Sequence, residues 1–506
     1  MAEAALSEPE AAFDRHRRRI GLVAAPLIFF GLWAAPLPLS AQAHALAAVA
    51  ALVVTLWVTE AIPLAAAALL GPALAVLLGV TDPKTAFSAF GDPLIFLFLG
   101  GFLLASGLAS QGFDRRAALW LIARPIIAGS PRRALIAVSA IAFVFSMWIS
   151  NTATTAMMIP VALGLIDTMR RVLPDDPETL RKLKRYGGGM CLSLAYASSI
   201  GGSATPIGTG PNVIAVGMLR DMVGVSMGFG QWMSFALPSA LAGGLLVVVV
   251  CSRAFPPPVE RIEGLTAEVD RQLTELGPIS PGERRAVAIF GLAILGWLAP
   301  SLLSLALGTE HAWTVWADAT LNEGVVAIAC SCLMFITGSK REPGARILDG
   351  NALQRLDWST LLLLGGGLAL GRLTFETKLA EAIGVGVVNL AGPIASHPIG
   401  LMAAATLLVI FLTEVTSNTA TTAMMLPVLI GVAQAANFDP MPTAVIVTLA
   451  ASYAFMLPVS TPPNAMAYGT RMIRIDTMMR IGIRLDLIGY AILMLVGVAI
   501  VPLVFG

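Results

Sequence analysis

Two near-identical polar stretches offer the side chains in this sequence best suited to binding ions. SNTATTAMMIP covers residues 150–160 and SNTATTAMMLP covers residues 417–427, with ten of eleven letters the same. Ser, Asn and Thr supply neutral oxygens that suit Na⁺, and their N–H donors suit a carboxylate. Two copies therefore indicate two half-sites, which fits a ligand that carries a negative group at each end.

A purely structural role is the alternative for these residues. Ser, Thr and Asn in membrane helices often form hydrogen bonds between helices without binding a ligand. Each copy, however, is followed by a second shared pattern, T-x-P-N, at residues 209–212 and 461–464. The repetition of the whole arrangement favours a binding site. Glu414 lies three residues before the second copy, where we expect it to support the polar stretch.

The composition indicates that a membrane protein holds these residues. Of the 506 residues, 57% are hydrophobic and 12% are charged, whereas about a quarter of the residues in a soluble protein are charged. Long apolar runs with charges confined between them are typical of a polytopic all-α membrane protein. The net charge of +1 and the lack of a basic face argue against nucleic acid as a partner.

The apolar segments predict about eleven transmembrane helices and two re-entrant hairpins, since a full span needs about 20 apolar residues. In chain order, the segments are 20–39, 44–60, 62–81, 93–110, 134–149, 152–168, 187–219, 231–252, 287–307, 322–338, 358–373, 398–416, 420–436, 442–470 and 485–505. The short pairs that meet at each SNT stretch predict the hairpins. Segments 187–219 and 442–470 are long but interrupted by Gly, Pro and Thr, which predicts discontinuous helices.

The basic residues predict the orientation in the membrane. With the N-terminus and its RHRRRI stretch inside, the cytoplasmic loops are 113–133, 169–186, 253–286, 339–357 and 471–484. These loops hold most of the Lys and Arg, and the outer loops hold little beyond Lys84, Arg220 and Lys378. This asymmetry follows the positive-inside rule. Treating the hairpins as full spans would turn two basic loops outward, which favours the hairpins.

The two halves of the sequence predict inverted repeats. FLFLGGFLLASG (96–107) resembles LLLLGGGLALGR (361–372), and each is followed by an SNT stretch and then by a T-x-P-N break. In the predicted topology an odd number of spans separates corresponding elements, so the halves have opposite orientations. Inverted repeats with discontinuous helices are common in secondary transporters, which bind substrate where the repeats meet.

These features are similar to those of the divalent anion:Na⁺ symporter family (DASS, INDY-like) of dicarboxylate and citrate carriers. The resemblance covers nearly the whole chain after residue 20. It rests on both SNT stretches, on GTGPN (208–212) and on SYAFMLPVSTPPNAMA (452–467). It implies a homodimeric elevator-type transporter of the ion transporter superfamily, with a scaffold domain and a moving transport domain in each protomer.

The resemblance also implies a division of the chain. The expected parts are a cytoplasmic tail at 1–19, scaffold and the start of the first repeat at 20–133, the first part of the transport domain at 134–252, a cytoplasmic linker at 253–286, scaffold of the second repeat at 287–395, and the second part of the transport domain at 396–506.

The site residues follow from the same resemblance. One Na⁺ site would involve Ser146, Ser150, Asn151 and the backbone at Gly208. The second would involve Thr413, Thr416, Asn418 and the backbone at Ser460. The carboxylates of the substrate would meet Asn151, Thr152, Ser417, Asn418 and Thr419, with Thr209, Thr461 and Pro462 shaping the pocket.

The expected function is Na⁺-coupled symport of C4-dicarboxylates such as succinate, malate and fumarate by an elevator mechanism. A Na⁺-independent dicarboxylate exchanger and a Na⁺-coupled citrate or sulfate carrier are the alternatives. Residue usage rich in Ala, Gly and Arg favours a bacterial inner membrane, with the N-terminus in the cytoplasm.

Two other classes of membrane protein fit the sequence less well. An enzyme would need a base beside its Ser or Thr residues. The histidines are remote from the SNT stretches, and no H-E-x-x-H pattern occurs; they are His16, His44, His311 and His397. A channel is disfavoured because nothing suggests a ring-like filter and because inverted repeats favour alternating access.

Overall fold

The chain folds almost entirely into helices. The computed structural model describes residues 8–124, 129–261, 271, 273–339, 344–392 and 397–505. Within these ranges the only β pairing is an isolated antiparallel bridge between Gly338 and Arg346. The predicted all-α class is therefore confirmed.

The helices of the first half surround the first SNT stretch. In chain order they are α1 (Glu8–Ala34), α2 (Ala41–Thr59), α3 (Leu64–Leu77), α4 (Pro83–Ser88), α5 (Pro93–Gln111), α6 (Phe113–Ile122), α7 (Pro131–Ser146), α8 (Asn151–Val172), α9 (Pro177–Ser203), α10 (Gly210–Met218) and α11 (Phe229–Ala254). A 3₁₀ turn (Ala89–Gly91) precedes α5, and a π-helical turn (Leu219–Val223) extends α10.

The helices of the second half surround the second SNT stretch. They are α12 (Pro281–Leu307), α13 (Ala312–Thr320), α14 (Glu323–Ile336), α15 (Asn351–Gln354), α16 (Trp358–Glu376), α17 (Leu379–Ala391), α18 (Pro398–Thr413), α19 (Asn418–Ala435), α20 (Pro440–Ala450), α21 (Pro462–Gly469), α22 (Ile475–Ala499) and α23 (Val501–Phe505).

Many of these helices are long and apolar enough to cross a membrane. In the described ranges, seven helical stretches meet this test: Ala41–Thr59, Pro83–Gln111, Asn151–Val172, Phe229–Ala254, Pro281–Leu307, Trp358–Glu376 and Ile475–Phe505. Helices α13 and α14 form an eighth candidate, bent by 71° at their junction. The other predicted spans, including 20–39 in α1, do not meet this test, so the count of about eleven stays a prediction.

Each SNT stretch lies at the turn of a helical hairpin. Helix α7 ends at Ser146 and α8 begins at Asn151, and helix α18 ends at Thr413 and α19 begins at Asn418. The two helices of each hairpin pack against each other. Both hairpins begin with a proline at the first helical position, where no backbone N–H is required. We call residues 147–152 the first tip and residues 414–419 the second tip.

The two interrupted helices also break where the sequence predicts. Residues 204–209, the first break, separate α9 from α10, and residues 451–461, the second break, separate α20 from α21. Thr209 and Thr461 have extended backbone before the new helix starts, and a proline follows each within two residues. Proline cannot donate a backbone hydrogen bond but suits a helix start, so the helix restarts there.

Some helices lie outside the predicted apolar segments: the short α4, α13 and α15, and also α6 and α17. Helix α6 lies in the predicted loop 113–133, and α17 follows the predicted end of segment 358–373. Each stands between a glycine-rich helix and a hairpin, and each packs against the second helix of that hairpin. They have 10 and 13 residues and are too short for a span, so a search for segments of about 20 apolar residues passes over them. The prediction of loops at these positions was wrong.

A network of ion pairs joins the end of α10 to the two glycine-rich helices α5 and α16. The Arg220 guanidinium lies 2.6 Å from the carboxylate of Asp92, which caps α5, and 2.8 Å from that of Asp221. Arg372 on α16 lies 2.8 Å from the other oxygen of Asp221 and also donates to Ser88. Charge-assisted bonds of this kind are shorter and stronger than neutral ones. They connect the proposed first transport part with both proposed scaffold parts.

Some sequence-based predictions lie partly outside the described residues. They concern residues 1–7 of the tail, residues 262–270 and 272 of the linker, and the basic residues Lys340 and Arg341 of loop 339–357.

Neighbouring glycines of α5 test how closely its backbone must approach α14. A Cβ atom at Gly100 would lie 2.6 Å from the backbone carbon of Ala327, whereas a Cβ atom at Gly101 would meet nothing within 4 Å. We expect Gly100→Ala to destabilise the fold by about 1–3 kcal/mol through overpacking. Gly101→Ala should be neutral or stabilising by up to about 1 kcal/mol, because alanine favours the helix.

The apparent melting temperature of the detergent-purified variants checks this pair. Equal melting temperatures for Gly100→Ala and Gly101→Ala would contradict the close approach of α5 and α14.

Candidate functional site

The asparagine of the first tip packs closely against the end of α9, just before the first break. The hydroxyl of Ser146 donates to Oδ1 of Asn151 at 2.7 Å. A Cβ atom at Gly202 would lie 2.1 Å from that same oxygen, and one at Gly208 would lie 2.3 Å from the carbonyl oxygen of Gly202. Glycine is therefore required at both positions for the broken helix to reach the tip. Ser150 caps α8 by accepting a hydrogen bond from its backbone.

The first break is stabilised by Asn212, the last residue of its T-x-P-N pattern. Its amide nitrogen lies 3.0 Å from the carbonyl oxygen of Gly202, 3.4 Å from that of Ser203 and 2.7 Å from that of Thr205. The hydroxyl of Thr205 donates to the backbone oxygen of Met147 in the tip. Carbonyl groups that the helix leaves unpaired thus find donors within the protein.

The second tip repeats the arrangement of the first. The hydroxyl of Thr413 lies 2.7 Å from Oδ1 of Asn418 and 2.8 Å from the backbone oxygen of Ala451 in the second break. Three oxygens therefore converge beneath the tip, and neutral oxygens of this kind suit a hard cation. The sequence did not single out Ala451, because its carbonyl is brought to the tip only by the fold.

Asn464 donates hydrogen bonds to carbonyl groups of the second break, as Asn212 does in the first half. Its amide nitrogen lies 2.7 Å from the carbonyl oxygen of Ala454 and 3.1 Å from that of Leu457. Its backbone N–H donates to the hydroxyl of Thr461. Neither asparagine was predicted as a site residue, although both were visible as the final letter of the repeated T-x-P-N pattern.

Two residues of the expected second Na⁺ site have side chains that make other contacts. The hydroxyl of Thr416 lies 3.1 Å from the backbone oxygen of Leu412 and also contacts the hydroxyl of Thr421, within the same hairpin. The hydroxyl of Ser460 bonds to Glu414. The structure therefore brings Thr413, rather than Thr416, to the Asn418 amide. A role for the Ser460 backbone stays a prediction.

The tips and breaks of the two halves are packed crosswise. Helix α8 of the first hairpin contacts α21 behind the second break, and helix α19 of the second hairpin contacts α10 behind the first break. A Cβ atom at Gly210 would lie 2.5 Å from the hydroxyl oxygen of Thr419. This packing assembles residues from distant parts of the chain into one candidate site.

Burial divides the predicted site residues into two layers. Those expected to bind only Na⁺ are buried except Ser150; the buried ones are Ser146, Gly208, Thr413, Thr416 and Ser460. Most of those expected to meet substrate are half-buried, namely Asn151, Thr152, Thr209, Ser417, Asn418 and Thr419. Thr461 is buried and Pro462 is exposed. The accessible face of each asparagine thus lies above a buried set of oxygens.

The electrostatics at Ser150–Thr152 and Ser417–Thr419 come from helix ends and neutral dipoles. Helices α7 and α18 end at the tips and helices α8 and α19 begin there. A helix C-terminus presents carbonyl oxygens and partial negative charge, and a helix N-terminus presents N–H groups and partial positive charge. Ser150–Thr152 and Ser417–Thr419 carry no charged side chain. The arrangement can hold a cation on one side and an anion on the other.

Sequence comparison relates nearly the whole chain to known transporters. Residues 14–505 match the family described as "Sodium:sulfate symporter transmembrane region". The chain is 33% identical over 493 residues to the sodium-dependent dicarboxylate transporter SdcS of Staphylococcus saprophyticus, covering 96% of this chain and 92% of that protein. It is 34% identical over 491 residues to SdcS of Staphylococcus aureus strain USA300, with the same coverage.

Solved structures show the same fold at low sequence identity. The Alcanivorax borkumensis YdaH transporter superposes with a TM-score of 0.55 at 13% identity, over 82% of this chain and 87% of that one. Neisseria gonorrhoeae MtrF, described as one of a class of antimetabolite efflux pumps, superposes with a TM-score of 0.56 at 13% identity, over 85% and 84%. At this identity the likeness concerns the fold alone.

Asparagine-to-aspartate changes test the donors that hold the breaks. Asn212→Asp keeps the shape of the side chain but replaces its N–H donors with an acceptor facing three carbonyl oxygens. Since a buried group without its partner costs about 1–3 kcal/mol, we expect a lower melting temperature and faster proteolysis of this region. Asn464→Asp should behave alike. Asn389→Asp, the same change at an exposed position of α17, serves as the control, and equal stability of all three variants would contradict the role of these donors.

Proposed function

Because the chain belongs to the sodium:sulfate symporter family, we propose that it is a secondary transporter that carries a C4-dicarboxylate across the membrane together with Na⁺. The observation that carries the proposal is the doubled tip: Asn151 and Asn418 each contact a buried hydroxyl on one side and are accessible on the other. The family and the relatives are transporters and not enzymes.

Each buried set of oxygens would hold one Na⁺. In the first half the ligands would include Ser146, Ser150 and Asn151 with the Gly208 backbone. In the second they would include Thr413 and Asn418, with Thr416 and the Ser460 backbone as further candidates. Bound Na⁺ would replace the hydroxyl-to-amide hydrogen bond, because the cation needs the lone pairs of both oxygens. The names of the relatives, which specify sodium dependence, support this assignment.

The half-buried layer would bind the two carboxylates. Asn151 and Thr152 would meet one end of the substrate and Ser417, Asn418 and Thr419 the other, while Thr209, Thr461 and Pro462 shape the pocket. A dianion among uncharged dipoles gains most of its stabilisation from adjacent cations, so Na⁺ would bind before the substrate. The SdcS relatives are named dicarboxylate transporters, which makes succinate, malate or fumarate the first choice and citrate an alternative.

We further propose an elevator mechanism in a homodimer. Residues 134–252 and 396–506 would move as one transport domain, since the crosswise packing of tips and breaks joins them. Residues 20–133 and 287–395 would form the scaffold and the dimer contact. Such a displacement would break the ion pairs of Arg220 with Asp92 and of Arg372 with Asp221.

The proposed location is a bacterial inner membrane, with the lipid bilayer around the helices and the N-terminal tail in the cytoplasm. A sulfate carrier is the second candidate, because the description of the family names sulfate. Sulfate is doubly charged but compact, so it need not span both half-sites.

Uptake into proteoliposomes tests the proposal. We expect radiolabelled succinate to enter with an inward Na⁺ gradient and not when K⁺ or choline replaces Na⁺, because without the cation the dianion would face only neutral dipoles. Uptake that requires only preloaded internal succinate would instead establish a Na⁺-independent exchanger. Equal affinity in choline would remove the coupling role given to both sets of oxygens, and no succinate uptake at all would direct the assay to citrate and sulfate.

The two asparagines test the doubled site. Asn151→Ala and Asn418→Ala each remove an oxygen proposed for Na⁺ and a donor proposed for the substrate, so either should reduce uptake by at least about 100-fold, the cost of two lost polar contacts. The dimer should still form, as judged by size-exclusion chromatography. Wild-type uptake by either variant would exclude that asparagine from the site.

A further inference from the structure

The strongest polar contacts around the second break come from Glu414. This residue follows the last residue of α18 and only 2% of it is exposed. One carboxylate oxygen accepts the backbone N–H groups of Phe455 and Met456 at 2.6 and 2.8 Å. The other accepts the N–H of Leu457 at 3.1 Å and lies 2.5 Å from the hydroxyl of Ser460, which is also 2.8 Å from the backbone oxygen of Glu414. Four donors on one carboxylate stabilise its ionised form.

The peptide at Phe455 is held from both sides. Its N–H bonds to Glu414, and its carbonyl oxygen accepts the hydroxyl of the buried Tyr196 at 2.5 Å. Glu414 lies in the second tip, and its side chain therefore connects this tip to residues 455–457 of the second break. No other described residue makes so many contacts between tip and break.

The first half uses a different connection at the same place. Met147 stands four residues before Asn151, as Glu414 stands four residues before Asn418. There the connection is a single hydrogen bond from the Thr205 hydroxyl to the Met147 backbone oxygen. The second break, residues 451–461, is longer than the first, residues 204–209, and leaves more backbone N–H groups to be paired. A carboxylate with two oxygens can pair several of them.

A second carboxyl group lies beside Glu414. Asp486 on α22 is 1% exposed and its carboxyl lies against that of Glu414, and its oxygens have no other hydrogen-bond partner in the described protein. Two buried negative charges side by side would repel, and a buried ionised group without a partner is very costly. Because all four donors point to Glu414, the charge belongs there and Asp486 is the protonated, neutral member of the pair.

We propose that Glu414 is a charged positioning residue that fixes the second break against the second tip, with Asp486 as its neutral neighbour. Glu414 does not touch the substrate or Na⁺. It acts through the backbone of residues 455–457 and through Ser460, and so holds the carbonyl of Ala451 and the start of α21 at the second half-site. The transport readout of this proposal rests on the proposed function, whereas its structural readout does not.

Isosteric amide variants of the two carboxyls give opposite expectations. Glu414→Gln keeps the shape but loses the charge that accepts four hydrogen bonds. We expect amide hydrogen exchange at residues 455–457 to quicken at least about tenfold, because charge-assisted bonds are stronger than neutral ones. The Na⁺ concentration for half-maximal uptake should rise as well, with a smaller effect on maximal rate. Asp486→Asn replaces one neutral group by another, so exchange and Na⁺ dependence should stay within about twofold of the wild type.

Hydrogen-exchange mass spectrometry of the full chain in detergent and Na⁺-dependent uptake in proteoliposomes are the two measurements. Wild-type exchange at residues 455–457 in Glu414→Gln would overturn the positioning role. A loss in Asp486→Asn equal to that in Glu414→Gln would overturn the assignment of the charge. If Glu414→Gln does not accumulate, Ser460→Ala removes one of the four bonds and should quicken exchange by about threefold, and no change there would equally contradict the proposal.

The failure of the proposed function has a different result. If the wild type transports no dicarboxylate under any Na⁺ gradient, the uptake assay gives no information about any variant. The exchange rates of residues 455–457 still decide whether Glu414 holds the break.

Discussion

The constraint on which this structure depends is that backbone interrupted inside a membrane must find its hydrogen-bond partners within the protein. Two helices break and two hairpins turn here, and each leaves carbonyl and N–H groups without helical partners. Asn212 and Asn464 donate hydrogen bonds to the free carbonyl groups, and Glu414 accepts hydrogen bonds from the free N–H groups. Once these groups are paired, the oxygens beneath each tip are the ones left to bind an ion.

The two halves are alike at the tips and different beneath them. Ser146 and Thr413 make the same contact to the following asparagine at the same distance. Below this level, a hydroxyl-to-carbonyl bond holds the first tip and a buried carboxylate holds the second. The pocket is thus symmetric where it would meet a substrate with two similar ends. It is asymmetric beneath the tips, where the lengths of the breaks differ.

Much of this architecture could be predicted from the sequence, because it depends on patterns of neighbouring residues. The hairpins and the broken helices follow from short apolar segments and from the T-x-P-N breaks. Helices α6 and α17 could not be found in this way, since each is shorter than a membrane span. The Ala451 carbonyl and the partners of Glu414 could not be predicted either, because the residues involved are far apart in the chain. Only the packing of distant segments determines which backbone groups contact Glu414 and the second tip.

The neutral side chains proposed to meet the substrate have a consequence for the response of the site to acid. Ser150–Thr152 and Ser417–Thr419 cannot gain or lose a proton in the physiological range, and Glu414 is turned toward the break. The first group to titrate at the pocket would then be the cargo itself, whose carboxyls become protonated as the medium approaches their own pKa values, about 4 for ordinary carboxyl groups. If the cargo is the proposed dicarboxylate, acid would act at these side chains by lowering the share of substrate molecules that arrive as full dianions.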